Sequence, residues 1–154
     1  IPFRIRVCRW PVFGPAALLG ANAFSLAALR MAVARRDGLT ADERRGLLTP
    51  YDSPARRIGQ LAFVRDIPLS PSHPTWQTLA DIEQGLPSLG KLPIALIWGM
   101  RDWCFDPRCL KRFVDVWPSA EVHRLNDVGH YVVLEGATEV HAIVEQFFDR
   151  TTAR

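Results

Sequence analysis

Pro93-Ile94-Ala95-Leu96-Ile97-Trp98 is a continuous apolar run of strand length, ended by Gly99. A strand with one wet face alternates apolar and polar residues, so an unbroken run predicts a strand covered on both faces, as in a parallel sheet. Parallel strands need a crossover, and one follows. Asp106-Pro107 reads as a helix start leading into Cys109, Leu110, Phe113, Val114 and Trp117. A shorter strand is expected over Ala120–Leu125. After a loop through Gly129-His130, a last helix is expected to bury a stripe of Val140, Ile143, Val144, Phe147 and Phe148. Residues 89–154 therefore read strand, helix, strand, helix, which is the α/β class.

Residues 1–88 read as helices alone. Residues 1–10 fit either a strand or a helix. A long Ala/Leu-rich helix is expected from near Pro15 through Arg36, stopped at Gly38. Thr40-Ala41-Asp42-Glu43 is a capping box opening a helix to Leu48. Ser53-Pro54 reads as N-cap and first helical residue of a helix whose apolar stripe is Ile58, Leu61, Ala62 and the Arg65 stem. That helix ends before Pro68. Pro68, Pro71 and Pro74 then stiffen a loop leading to a helix from Trp76 to Gly85.

Composition removes several classes. With 154 residues, 48% of them hydrophobic, the chain is globular, and its length supports one core with about 7,800 Å² left exposed. The net charge is +3, with ten Arg against four acidic residues in residues 1–60. The cations fall singly or in pairs at helical spacing, which describes solvated helix faces; a nucleic-acid partner needs a continuous basic face. Cys8, Cys104 and Cys109 form no C-x-x-C pair, which favours a reducing, cytoplasmic setting and no zinc ribbon. Trp10–Leu29 lacks a charge for twenty residues, but its Pro, Gly, Asn and Ser content points to a buried helix and no integral membrane span.

Two residues carry the chemistry. Asp102 lies four residues beyond Trp98, at the carboxyl end of the first strand, and His130 just past the second. Open α/β sheets build their sites outside the carboxyl ends of strands, so adjacent parallel strands would bring both to one rim. There the carboxylate would orient the imidazole as a general base. Asp106 competes for the acid role, but Pro107 after it explains it as an N-cap. Asp127 reads as a turn residue, His73 and His123 as ordinary, His141 as surface. None of these histidines has metal-ligand spacing with a carboxylate. Cys104 has no evident base to make it a nucleophile.

The Trp98-Gly99-Met100-Arg101-Asp102 turn, followed by a strand and Gly129-His130, resembles the last third of α/β-hydrolases. Asn22-Ala23-Phe24, Ala28–Ala32, Pro50-Tyr51-Asp52, Phe63–Pro68 and the stretch from Trp98 to Asp106 resemble the haloalkane-dehalogenase-like branch. Within it they are most similar to the β-lactone decarboxylases of bacterial olefin biosynthesis. The resemblance implies a partial α/β-hydrolase fold, with residues 1–88 as helical cap and 89–154 as the carboxyl-terminal part of the core. It also implies His130 as base, Asp102 as orienting acid, and Trp103, Phe105, Phe24 and Phe63 as pocket residues. No metal or cofactor is implied. The partners implied are a small apolar substrate and other enzymes of the same pathway.

No nucleophile elbow of the G-x-S-x-G type, or its aspartate version, occurs in the chain. The reading is thus the carboxyl half of a longer hydrolase whose aspartate nucleophile lies upstream, inactive by itself. Two rivals from other classes are a non-catalytic ligand-binding relative and a membrane-surface protein using residues 10–36.

Overall fold

A computed structural model describes residues 2–152. They fall into two units. One comprises the residues up to Met31 together with Leu39–Glu83; the other comprises Ala32–Gly38 and the residues from Gln84 onward.

The first unit is helical. It contains α1 (Phe3–Val7), α2 (Phe13–Pro15, running into a π-helical turn at Ala16–Gly20), α3 (Ala23–Met31), α4 (Ala41–Leu48), α5 (Ile58–Asp66) and all but the last two residues of α6 (Trp76–Gly85). The ambiguity over residues 1–10 resolves to helix. Leu18, Leu61 and Val64 form the core, with Ile5, Cys8, Ala17, Leu19 and Phe24 packed against it.

The single long helix expected through Arg36 is not one helix. The chain breaks at Asn22, whose φ of 51° is left-handed, a conformation that Asn tolerates better than most residues. Its Nδ2 donates to Tyr51 O at 3.1 Å. The carbonyls orphaned by the break are capped by Arg57, whose Nη1 donates to Leu19 O at 2.6 Å and Gly20 O at 3.2 Å while Nε donates to Tyr51 O. Arg57 is therefore buried and does not lie on a solvated helix face. Arg9 does the same at the end of α5, donating to Val64 O and Ile67 O at 2.7 and 2.6 Å.

Two other expectations are corrected here. Ser53 is not a side-chain N-cap; its carbonyl accepts from Arg56 N in a 3₁₀ turn, Ala55–Arg57, that precedes α5. On α5 the buried residues are Leu61 and Val64, and Ile58 is 59% exposed. The capping box stands as expected: Thr40 Oγ1 accepts from Glu43 N, and Glu43 Oε2 accepts from Thr40 N at 2.7 Å.

The second unit holds β1 (Ala95–Gly99), α7 (Pro107–Val116), β2 (Glu121–Leu125), α8 (Val132–Glu135) and α9 (Ala137–Thr152). The strands pair in parallel, Ala95 opposite Glu121 and Gly99 opposite Leu125. Helix α7 starts where Asp106 Oδ1 accepts from Arg108 N at 2.8 Å, and its apolar side faces the sheet through Phe113, 5.9 Å from Trp98. Leu110, Trp117 and Val128 are buried in this unit.

The sheet has two strands among the described residues, so β1 is only half-buried apart from Gly99. That departs from a strand covered on both faces. In α9, Val144 and Phe148 of the expected stripe are exposed, Phe148 at 57%. The accessible surface is 10372 Å², well above the roughly 7,800 Å² of a single-core protein this size. The buried residues are divided between the two units. No described helix is long and apolar enough to cross a membrane.

The core assignment makes a contrast testable by urea unfolding. Leu18, fully buried, should lose about 2–5 kcal/mol of stability on replacement by Ala, whereas Ile58→Ala should change it by no more than about 0.5 kcal/mol.

Candidate active site

The two strands fix the start of two loops, and the loops then bond to each other. Beyond Gly99, Met100 N donates to Leu125 O at 3.0 Å and Arg101 N to Val128 O at 3.0 Å. A Cβ on Gly99 would stand 2.2 Å from Gly129 O and 2.7 Å from Val128 O. Only glycine lets the backbones approach this closely. The sequence Trp98-Gly99 thus ends the strand and admits the histidine loop.

Asp102, 7% exposed, sits at the end of this turn, its own N–H bonded to Gly99 O. A buried carboxylate must find donors, and this one has three. Oδ1 accepts from Cys104 N at 2.7 Å and Phe105 N at 3.0 Å; Oδ2 bonds His130 Nδ1 at 2.8 Å. An ionised carboxylate only accepts, so Nδ1 is the protonated ring nitrogen and Nε2 carries the lone pair. The His130 side chain is 32% exposed. Its backbone N–H donates to Ala32 O at 2.8 Å, and its ring lies 5.5 Å from that of Phe105 and 6.0 Å from that of Tyr131. An oriented imidazole with a basic Nε2 can take a proton from water or from a nucleophile.

The sequence-derived site residues divide between the two units. Asp102, Trp103, Phe105 and His130 belong to the second. Phe105 is held in place, its N–H on Asp102 and its carbonyl accepting from Trp98 Nε1 at 2.8 Å. Phe24 and Phe63 lie on α3 and α5 of the first unit, Phe24 packed against the Leu18 core and Phe63 70% exposed.

Residues set aside as ordinary have local partners. Asp106 caps α7 and also bonds the Arg108 guanidinium, which holds its carboxyl below the usual range. Asp127 pairs with Arg101 at 2.7 Å. His73 bonds Thr75 Oγ1 and Arg65 O, His123 bonds Glu121 at 2.6 Å, and His141 lies 3.3 Å from Glu145. Among the described residues, no three His, Cys, Asp or Glu side chains gather in a way that could hold a metal ion.

Sequence reading missed one residue touching this loop. Glu135 accepts from Gly129 N through Oε1 at 3.1 Å and from Ala34 N and Arg35 N through Oε2 at 2.7 and 2.9 Å. A signal existed: Glu135 is the lone charge in Tyr131-Val132-Val133-Leu134-Glu135-Gly136-Ala137. What no pattern displays is two of its partners, the Ala34 and Arg35 amides about a hundred residues earlier.

No family model matches the chain. A cis-3-alkyl-4-alkyloxetan-2-one decarboxylase of Shewanella oneidensis is 34% identical over 151 residues, 98% of this chain and 47% of that protein. Another protein of that name, from Xanthomonas campestris pv. campestris, is 38% identical over 129 residues, 84% of this chain and 42% of its own length. The crystal structure of haloalkane dehalogenase DbeA from Bradyrhizobium elkani matches with a TM-score of 0.86 at 22% identity, covering 97% of this chain and 51% of that one. The chain spans about half the length of the curated relatives it matches.

Cys104 lies next to the pair, and its thiol is pushed up from 9.0 by burial first and by the Asp102 charge second. A raised pKa leaves less thiolate at any given pH. Iodoacetamide should therefore alkylate Cys104 with a pH midpoint above 9.0, read by mass spectrometry; a midpoint below that value would return Cys104 to the list of nucleophiles.

Proposed function

We propose, for a chain that belongs to the α/β-hydrolase superfamily in its haloalkane-dehalogenase-like branch, that it supplies the acid and the base of an Asp–His–Asp active site. The protein at its full natural length would add the aspartate nucleophile and the oxyanion-stabilising groups. The observation carrying this reading is the 2.8 Å bond between His130 Nδ1 and Asp102 Oδ2, made where two parallel strands end. In this reading residues 1–88 act as the helical cap and 89–154 as the carboxyl-terminal part of the core.

The nucleophile's carboxylate attacks an electrophilic carbon and forms a covalent ester. His130 serves as general base or proton carrier, with Asp102 fixing its tautomer and stabilising the imidazolium. Trp103 and Phe105, which follow the acid on the chain, offer apolar surface to a substrate. The resemblance alone assigns Phe24 and Phe63 a similar role. No metal or cofactor takes part in this scheme.

The favoured substrate is a long-chain cis-β-lactone, split into a cis-alkene and carbon dioxide. Support comes from the two relatives, whose names specify a cis-dialkyl oxetanone decarboxylase. That reaction cleaves one ring C–O and one C–C bond with no net uptake of water or protons. The alternative is a haloalkane, supported by the likeness to DbeA; there the ester is hydrolysed, one water is consumed, and halide and a proton leave. The partners proposed are a small apolar substrate and enzymes of the same pathway. A cytoplasmic setting is proposed too, supported by three free cysteines.

Offering the full-length protein a cis-β-lactone and a bromoalkane separates the two chemistries: alkene release supports the first, bromide release the second. His130→Ala should cut either turnover to the small residual rate that the rest of the site supports. Asp102→Asn should lower it on the order of 10⁴-fold by favouring the wrong tautomer. Wild-type rates in both variants would refute the assignment.

A further inference from the structure

We propose that Glu135 is a positioning residue for the His130–Asp102 pair, a role that rests on the active-site reading above. Its carboxylate ties together two backbone segments that both hold His130.

The first tie is direct. Glu135 Oε1 accepts from Gly129 N at 3.1 Å, immediately before the histidine. The second runs through Ala32–Gly38. Oε2 accepts from Ala34 N and Arg35 N, and the same segment presents Ala32 O to His130 N at 2.8 Å. Glu135 therefore holds the residue before His130 and also the strip of chain on which His130 itself hangs. All three donors are main-chain groups, so the geometry is set by the backbone and not by flexible partners. Adjacent N–H groups aimed at one point form a concavity suited to an anion, and a carboxylate on half-buried α8 fills it.

The contact leaves no slack. A Cβ on Gly129 would come 2.7 Å from Ala32 O, 2.9 Å from Glu135 Oε1 and 3.0 Å from Ala34 N. Behind the carboxylate, a Cβ on Gly136 would meet Leu125 Cδ1 at 3.0 Å and Val128 Cγ2 at 3.3 Å. Strand β2, the histidine loop and α8 are thereby packed against one another without room to slide. Asp102 fixes the ring from one side; Glu135 fixes the backbone from which that ring projects. A catalytic group must be held within roughly 0.5 Å of its working position, which a loop anchored only at its ends does not guarantee.

The test uses the full-length protein and Glu135→Gln, which keeps the shape but places an amide nitrogen against one set of N–H donors. Three readouts apply: melting temperature, kcat and KM on the substrate turned over, and the low-field Nδ1 proton of His130 by NMR. The expected result is a folded variant whose kcat falls at least about tenfold while KM stays within about twofold, with the His130 proton signal shifted or broadened. Glu135→Asp keeps the charge one methylene short and should recover part of the lost kcat.

A folded Glu135→Gln protein with wild-type kcat and an unchanged His130 proton overturns the proposal. So does loss of the native fold in both variants, because the carboxylate would then be a determinant of folding only. If His130→Ala retains the wild-type rate, the active-site reading fails, and the NMR signal of the wild-type ring still decides whether Glu135 sets the imidazole.

Discussion

The site depends on one constraint: two parallel strands end side by side, and the turns beyond them touch backbone to backbone at Gly99 and Gly129. That approach puts Asp102 and His130, 28 residues apart in sequence, within hydrogen-bond distance. Burying a carboxylate would cost several kcal/mol unless donors replace its water. Cys104 N, Phe105 N and the imidazole do so. The same three bonds that make burial tolerable also determine which way the carboxylate faces. In the proposed active site, stability and function would share this one set of contacts, so that a change relaxing the turn would disturb both.

The chain uses a similar device elsewhere. Where helices end, long side chains from distant positions reach the orphaned carbonyls: Arg57 at Leu19 and Gly20, Arg9 at Val64 and Ile67. Hydrogen bonds to a charged group contribute about 1.5–3 kcal/mol each, more than a neutral cap. Part of the arginine excess in residues 1–60 is therefore internal wiring and not a surface for an acidic partner. At the carboxyl ends of the strands the polarity is reversed. There the carboxylates of Asp102 and Glu135 collect backbone N–H groups from loops that form no regular structure of their own.

What could be read in the sequence had a local cause. The Thr40–Glu43 box, the Asp106-Pro107 start, the Trp76–Gly85 helix and both strands follow from neighbours within a few residues, and all appear at or near their expected limits. The Asp102–His130 meeting also followed, because parallel topology converts strand order into proximity. Failures came where distant contacts override local preference. The helix through Asn22 breaks because Arg57 and Tyr51 wait for its freed groups. The segment after Met31 leaves helix to supply Ala32 O and the Ala34 and Arg35 amides to the histidine loop and Glu135. Helix α9 has an apolar stripe, but with two strands beneath it the described residues cannot bury Phe148.

The most direct trial of this account is a double-mutant cycle between Asp102 and His130 on kcat/KM in the full-length protein. Groups that act as one unit are not additive. Asp102→Asn should therefore cost nothing further once His130 is Ala, because the carboxylate works only through that ring. The residual rate left in His130→Ala is the baseline, and a further, multiplying loss on adding Asp102→Asn would contradict the claim that the two residues form a single acid–base device.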